Sequence, residues 1–250
     1  MMKYNLTILI LIMILTSFSF DSFKDKQKKY SRVRQAYADK DSIVIDLLEK
    51  NSIDIKNLRI YLRAFKSEKK IELWAKNKSD NSYKLIREYD ICQTSGSQGP
   101  KRKQGDLQIP EGYYHINKFN PFSNFYLSLG INYPNKSDKI LGVKGKLGGD
   151  IFIHGACVTI GCLPITNDKI KELYVLCVEA KDNGQTKIPV TIFPTKLTDT
   201  NYNKLKTKYK SDNDKLGLWA DLKQGYDYFN ETKYLPSIVF LDNGKHRISK

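Results

Sequence analysis

Apolar and polar positions recur with two different periods along this chain, and the first stretch after the N-terminus has the helical one. Residues 24–57 are rich in charge and place Ile43, Leu47 and Leu48 on one side of a helical projection. A charged segment with one apolar stripe is typical of an amphipathic helix. The pattern predicts one or two helices here.

From residue 58 the period changes to two. Apolar residues alternate with charged ones on both sides of a short polar break, which predicts a hairpin of half-buried strands over residues 58–77. Shorter runs of the same kind predict further strands near residues 83–92, 109–116, 125–129, 150–153 and 187–194.

Helical spacing returns twice in the second half. Thr166 or Asn167 can cap a helix whose apolar stripe includes Cys177, and Asn183 and Gly184 can end it. A later stripe predicts an amphipathic helix and consists of Leu218, Leu222, Tyr226 and Phe229. Together the patterns predict a mainly β, α+β fold with flanking helices.

The first nineteen residues resemble a secretory signal. Lys3 precedes an apolar run over residues 6–15, and Ser17 and Ser19 supply the small residues that precede cleavage. The run is shorter than the ~20 residues of a membrane span, so no stable span is expected after cleavage. An uncleaved anchor is the alternative.

The formal net charge is +15 from 42 basic and 27 acidic residues, and removing residues 1–19 leaves +14. Such a basic exported protein suits an anionic polymer or membrane surface. The lysines are scattered over the whole length, so nucleic acid is not an expected partner.

Four cysteines could form two disulfides in an exported chain. Cys177 lies on a helical apolar stripe and Cys92 ends a strand-like run, so both are expected to be free core thiols. A Cys157–Cys162 disulfide would remove the thiol that we expect to react. Cys157 is therefore interpreted as a packed thiol, with a redox partner of Cys162 or a second site residue as alternatives.

The candidate chemistry centres on His154, which precedes Cys162 by eight residues. A thiol needs a neighbouring base because the thiolate is the nucleophile, so we assign Cys162 as nucleophile and His154 as its base. The Gly155 carbonyl could orient the imidazole. Backbone N–H groups at Gly161 and Cys162 could form an oxyanion hole. The start of the helix after Thr166 would favour the thiolate.

A metal site is the first rival interpretation. His154, Cys157 and Cys162 are all of ligand type, but no fourth ligand lies close in sequence, whereas structural zinc takes four. We therefore expect no metal and no cofactor. A papain-type peptidase is a second rival, but there the cysteine precedes a distant histidine.

Ordered motifs along residues 58–195 resemble the L,D-transpeptidase catalytic domain, in particular a murein-acting branch with short His-to-Cys spacing. The signature is His-Gly, a spacer, then Ser/Thr-x-Gly-Cys. The chain departs from many relatives at Ile160, where they carry histidine, and at Pro164, so stem preference is not carried over. The motifs are His154-Gly155, Thr159-Ile160-Gly161-Cys162, Gly99-Pro100-Lys101, Gly105-Asp106, Pro110-Glu111-Gly112-Tyr113-Tyr114, Asn120-Pro121 and Tyr133-Pro134-Asn135.

The resemblance implies a β-sandwich or barrel-like domain that acts on peptidoglycan peptide stems. Cys162 would form a thioester with a tetrapeptide stem, and an amine or water would then release it. Thr159 could donate a hydrogen bond into the site, and Lys101 and Arg102 could hold a stem carboxylate. A hydrolase of the same bonds, or a non-enzymatic wall-binding module with an oxidised Cys157–Cys162 pair, are the alternatives.

The expected organisation has four parts. They are a signal peptide at 1–19, an N-terminal helical segment at 20–57, the catalytic domain at 58–196 and a C-terminal helical extension at 197–250.

Overall fold

The computed structural model describes residues 21–249, so the expected signal peptide lies outside the described residues. Six α-helices and ten strands are found within this range. The helices are α1 Phe23–Lys28, α2 Ser31–Lys50, α3 Lys136–Leu141, α4 Asn167–Asp182, α5 Asp199–Lys208 and α6 Asn213–Thr232, with a 3₁₀ turn at Ile55–Asn57. The strands are β1 Leu58–Phe65, β2 Lys70–Asn77, β3 Lys84–Asp90, β4 Gly112–Asn120, β5 Ser128–Ile131, β6 Phe152–His154, β7 Leu163–Pro164, β8 Ile188–Phe193, β9 Ser237–Phe240 and β10 His246–Ser249.

Eight of these strands form one mixed sheet in the order β3-β2-β1-β8-β4-β5-β6-β7. The β1/β8 and β6/β7 pairs are parallel and the other pairs are antiparallel. β9 and β10 form a separate antiparallel pair. The expectation of an α+β fold built on a sheet with flanking helices is confirmed.

The sheet is covered on both faces. On β1, Ile60 and Leu62 belong to the main core with α2 and α4, whereas Tyr61 and Phe65 pack among side chains of α6. Successive strand residues point to opposite faces, so α4 and α6 must cover different faces. We call the face toward α4 the core face and the other the α6 face. The predicted hairpin is confirmed. Both of its faces are largely buried, whereas half-buried strands were predicted.

The N-terminal segment is helical, and its buried face agrees with the predicted one only in part. α2 packs on α4 and buries Val33, Val44 and Leu48, whereas Ile43 is 39% exposed. Of the predicted stripe, Leu48 is buried and Leu47 packs against the core, whereas the prediction is wrong for Ile43, because its neighbour Val44 is buried instead.

The two helices predicted in the second half are confirmed. Thr166 caps α4 by accepting the Lys169 N–H, and Asn183 follows its last turn. Cys177 is fully buried in α4, as expected for a free core thiol. The whole predicted stripe of α6 is buried. The β9/β10 pair, which packs beside α6, was not predicted.

Among the helices of residues 21–249, none is both long and apolar enough to cross a membrane.

Candidate active site

The parallel β6/β7 pair brings both ends of the segment from His154 to Cys162 into one part of the sheet, because His154 ends β6 and Cys162 directly precedes β7. In the parallel β6/β7 pair, Ile153 lies opposite Leu163, and both side chains are in the main core. His154 follows Ile153 on β6, so its side chain points to the α6 face. Cys162 directly precedes β7 and lies in the bend that leads into this strand. The two residues are eight positions apart in sequence and lie at the end of one strand and directly before its neighbour in the sheet.

His154 is held by two contacts. Its Nδ1 lies 2.5 Å from the Gly155 carbonyl oxygen, and the ring stacks on Phe125 with centroids 4.5 Å apart. A carbonyl oxygen can only accept, so Nδ1 carries the proton and Nε2 has the free lone pair of a base. Burial lowers the pKa of His154 from its ordinary value of 6.5, which keeps the imidazole neutral near neutral pH.

The Cys162 thiol is free and partly exposed. Its Sγ lies 3.7 Å from the Asp150 carbonyl oxygen, which the S–H can donate to. Burial raises the pKa of Cys162 above 9.0, while a hydrogen bond from the Phe152 backbone and the charge of Lys101 act in the opposite direction. A thiolate-favouring effect of the α4 start stays a prediction, and burial is the largest influence on the pKa of this thiol.

Thr159 organises the turn that carries the nucleophile. Its Oγ1 accepts the backbone N–H groups of Gly161, at 3.1 Å, and Cys162, at 2.8 Å. The same hydroxyl donates to the Cys162 carbonyl at 2.8 Å. The two N–H groups assigned to an oxyanion hole are therefore bound by a side chain in this structure. Gly161 has a φ of 141°, a conformation that residues with a Cβ rarely adopt.

Asn167, the first residue of α4, fixes the loop after His154. Its Oδ1 accepts the Ala156 N–H at 2.9 Å. A Cβ added at Gly155 would lie 2.5 Å from that oxygen and 2.7 Å from the Phe125 carbonyl, so this position has room only for glycine. The sequence suggested Asn167 only as a helix cap, and this second role had no signal of its own.

The cysteine pairing differs from every expectation. Cys92 and Cys157 form a disulfide with a Cα–Cα distance of 5.5 Å. Cys92 is exposed at the end of β3 rather than buried in the core, and Cys157 is neither a packed thiol nor bonded to Cys162. The bond joins the loop between His154 and Cys162 to the segment that directly follows β3. The oxidised Cys157–Cys162 pair that a wall-binding module would use is not formed.

Lys101 and Arg102 are already paired within the protein. The Lys101 ammonium is buried and contacts Asp106 at 2.5 Å and the Lys103 carbonyl at 2.9 Å. Arg102 makes ion pairs with Asp138 and Asp214. Their contacts hold the loop before β4 against α3 and α6. A role in binding a stem carboxylate stays a prediction.

Within residues 21–249, no three His, Cys, Asp or Glu side chains come together in a group that could hold a metal ion.

Comparison with known proteins gives a consistent family. Residues 59–192 match the family model described as the YkuD L,D-transpeptidase catalytic domain. The protein named "Putative L,D-transpeptidase YafK" from Escherichia coli K12 is 37% identical over 193 residues, which is 76% of this chain and 74% of that protein.

Two solved structures are also similar. The helical cell shape determining protein Pgp2 from Campylobacter jejuni is 19% identical, with a TM-score of 0.44 and coverage of 74% of each chain. Bd1075 from Bdellovibrio bacteriovorus is 21% identical, with a TM-score of 0.40 and coverage of 74% of this chain and 77% of that one.

Proposed function

This chain belongs to the L,D-transpeptidase catalytic domain family, and we propose that it is an exported enzyme that transfers peptidoglycan tetrapeptide stems through a thioester on Cys162. The observation that carries the proposal is a free thiol directly before β7 together with an oriented imidazole at the end of β6, the parallel neighbour of β7.

Acylation begins with proton transfer from the Cys162 thiol to Nε2 of His154. The sulfur attacks the carbonyl carbon of the third stem residue, a diamino acid, and forms a tetrahedral oxyanion. The C–N bond to the terminal D-alanine breaks, and that amine leaves with the proton from His154. The product is a thioester. A neutral thiol beside a neutral base is the ground state, since burial raises the pKa of Cys162 and lowers that of His154.

Deacylation uses the same two side chains in reverse. An amine of an acceptor stem gives up a proton to His154 and attacks the thioester, and the Cys162 thiolate recovers that proton. Water in place of the amine gives hydrolysis through the same intermediate, which is the alternative activity.

The oxyanion requires donors that are bound to Thr159 in this structure. We place the negative oxygen at the backbone N–H groups of Gly161 and Cys162, where it would replace the Thr159 hydroxyl as acceptor. One such donor is typically worth about 10²–10³ in rate.

The Cys92–Cys157 disulfide supports export. Disulfides persist in oxidising compartments such as the periplasm and are rare in the cytosol. Together with the signal-like residues 1–19, the bond favours the cell envelope of a bacterium as the location.

The division of the chain is part of the proposal. Residues 58–196 form the catalytic domain, and residues 20–57 and 197–250 are N-terminal and C-terminal additions that cover its two faces. Their packing on α4 and on the α6 face supports this division.

The test is product analysis on muropeptides by mass. The oxidised protein without its signal is incubated with disaccharide-tetrapeptides beside a Cys162→Ala variant and a Cys177→Ala control, which removes the other free thiol. A cross-linked dimer that depends on Cys162 and not on Cys177 identifies a transpeptidase. Loss of D-alanine without dimer, with the same dependence, identifies a hydrolase. Equal products with the Cys162→Ala variant would overturn the proposal.

A further inference from the structure

A cavity of about 400 Å³ lies between the sheet and the C-terminal segment. Its walls are aromatic side chains of the sheet together with apolar residues that lead into and along β9. The lining includes Tyr61, Tyr113, Phe193, Leu235, Ile238 and Phe240. The volume is that of an ordinary small-molecule site.

The cavity opens on the same face of the sheet as the candidate active site. On β4, Tyr114 and Ile116 belong to the main core, so Tyr113 and His115 point to the α6 face. His154 lies on that face too, because its neighbour Ile153 is in the main core. One surface of the sheet therefore carries both the His154 imidazole and the cavity, and β5 separates β6 from β4.

The cavity continues along the sheet as an open cleft toward the β4/β5 pair. The cavity shares Asn132, Asn135 and Lys136 with a second, open depression that reaches Asn117. Beyond Asn117 the floor of the sheet is Gly130, where an added Cβ would lie 3.3 Å from Asn117 Oδ1 and 3.0 Å from the Phe152 ring. Phe152 in turn contacts the site, because its backbone forms a hydrogen bond with the Cys162 thiol.

Polar groups without protein partners lie at the cavity. Within residues 21–249, the Lys187 ammonium, the His115 ring and the Asn132 Nδ2 group make no ion pair or hydrogen bond, while each of these residues lines the cavity. Aromatic walls with a few free donors at the rim suit a sugar ring, because C–H faces pack on aromatics and the donors meet hydroxyl or acetamido oxygens. Exposed Lys118 and Lys139 along the cleft suit the carboxylates of a peptide stem.

The spacing fits one continuous substrate. Three interstrand steps separate β7 from β4, or about 14 Å at ~4.8 Å each. Three extended residues, from the attacked carbonyl to the start of the stem, span at most about 10–11 Å. About 3–4 Å of that distance remains, which the sugar and its link to the stem cover, so the sugar meets the β4 side of the cavity while the third residue lies at Cys162.

We propose that this cavity is a binding site for an N-acetylated amino-sugar of the glycan strand that carries the donor stem. The inference rests on the proposed function for the identity of the substrate, and it makes the enzyme selective for stems still attached to glycan over free peptides.

The test compares a disaccharide-tetrapeptide with the same tetrapeptide lacking sugar. Ile238→Trp fills the cavity from β9, and Val239→Trp is its matched control, because Val239 is the next residue on that strand, is 39% exposed and is absent from the lining. The wild type and Val239→Trp are expected to show kcat/KM at least about 10-fold higher for the disaccharide-tetrapeptide. Ile238→Trp is expected to lose this preference and to process the free tetrapeptide at the wild-type rate. No preference in the wild type, or an unchanged preference in Ile238→Trp, overturns the inference.

Binding without turnover separates this inference from the proposed function. The probe is the free disaccharide of N-acetylglucosamine and N-acetylmuramic acid, titrated into Cys162→Ala and followed by NMR. Binding that Ile238→Trp abolishes and Val239→Trp retains supports the site even if neither substrate is turned over, in which case only the proposed function fails. Turnover of both substrates alike, with no disaccharide binding, removes the site and leaves the proposed function standing.

Discussion

Removal of the Cys92–Cys157 disulfide is expected to destabilise the protein strongly. The two cysteines are 65 positions apart, so the bond closes a long loop of the unfolded chain. The loop-closure relation gives about 4 kcal/mol at 25 °C for a loop of this length. That is a large share of the ~5–15 kcal/mol by which a domain is typically stable.

The perturbation is the double variant Cys92→Ser, Cys157→Ser, compared with the wild type by urea unfolding in the absence and presence of a reducing agent. We expect the variant to lose about 4 kcal/mol and to be insensitive to the reducing agent, whereas the wild type falls to the level of the variant on reduction. The variant is also expected to turn over more slowly, because Cys157 lies in the loop that carries Cys162, and a 1 Å misplacement can cost about 10²-fold. A variant within about 0.5 kcal/mol of the oxidised wild type would refute the reasoning.

Three further results are expected. Thr159→Ala should lower kcat/KM because the turn loses the hydroxyl that binds two N–H groups, and Thr159→Ser should restore most of it; equal kinetics for Ala and wild type would show that the hydroxyl does not position the nucleophile. Cys177→Ala should cost about 1–3 kcal/mol in urea unfolding and leave turnover unchanged, since the thiol is fully buried in α4; a loss of turnover would place Cys177 in the chemistry. Alkylation of Cys162 by iodoacetamide should have its midpoint above pH 9.0, because burial raises the pKa of this thiol, and the acid limb of kcat/KM should lie below pH 6.5, because burial lowers the pKa of His154. An alkylation midpoint below that acid limb would contradict a ground state with a neutral thiol and a neutral imidazole.

The strands and long helices could be predicted because each has a local signal. In α6 the four residues of the predicted stripe all became buried, and in β1 the period of two marked the sheet. The residues of β1 on the α6 face are buried as well, which the sequence near β1 does not predict. The side chains that bury them come from α6, some 150 residues later in the chain. In α2 the predicted stripe was right at Leu47 and Leu48 but wrong at Ile43, since only the packing on α4 determines that Val44 is buried instead.

At the site, the separation of His154 and Cys162 was informative because both belong to one short strand-loop-strand unit. The disulfide could not be found in the same way, because Cys92 reaches Cys157 only through the fold of β3 beside that loop. Asn167 also accepts the Ala156 N–H, and this contact depends on how α4 packs beside the loop after His154, which residue spacing in the sequence does not predict.

The central claim is a thioester on Cys162, and direct detection of that intermediate tests it best. The oxidised protein is mixed with disaccharide-tetrapeptide, quenched in acid within seconds, digested and analysed by mass. We expect a peptide containing Cys162 that is heavier by the stem minus its terminal D-alanine, and no such adduct on the peptide containing Cys177. Turnover without any adduct on Cys162, and retained in Cys162→Ala, would contradict it.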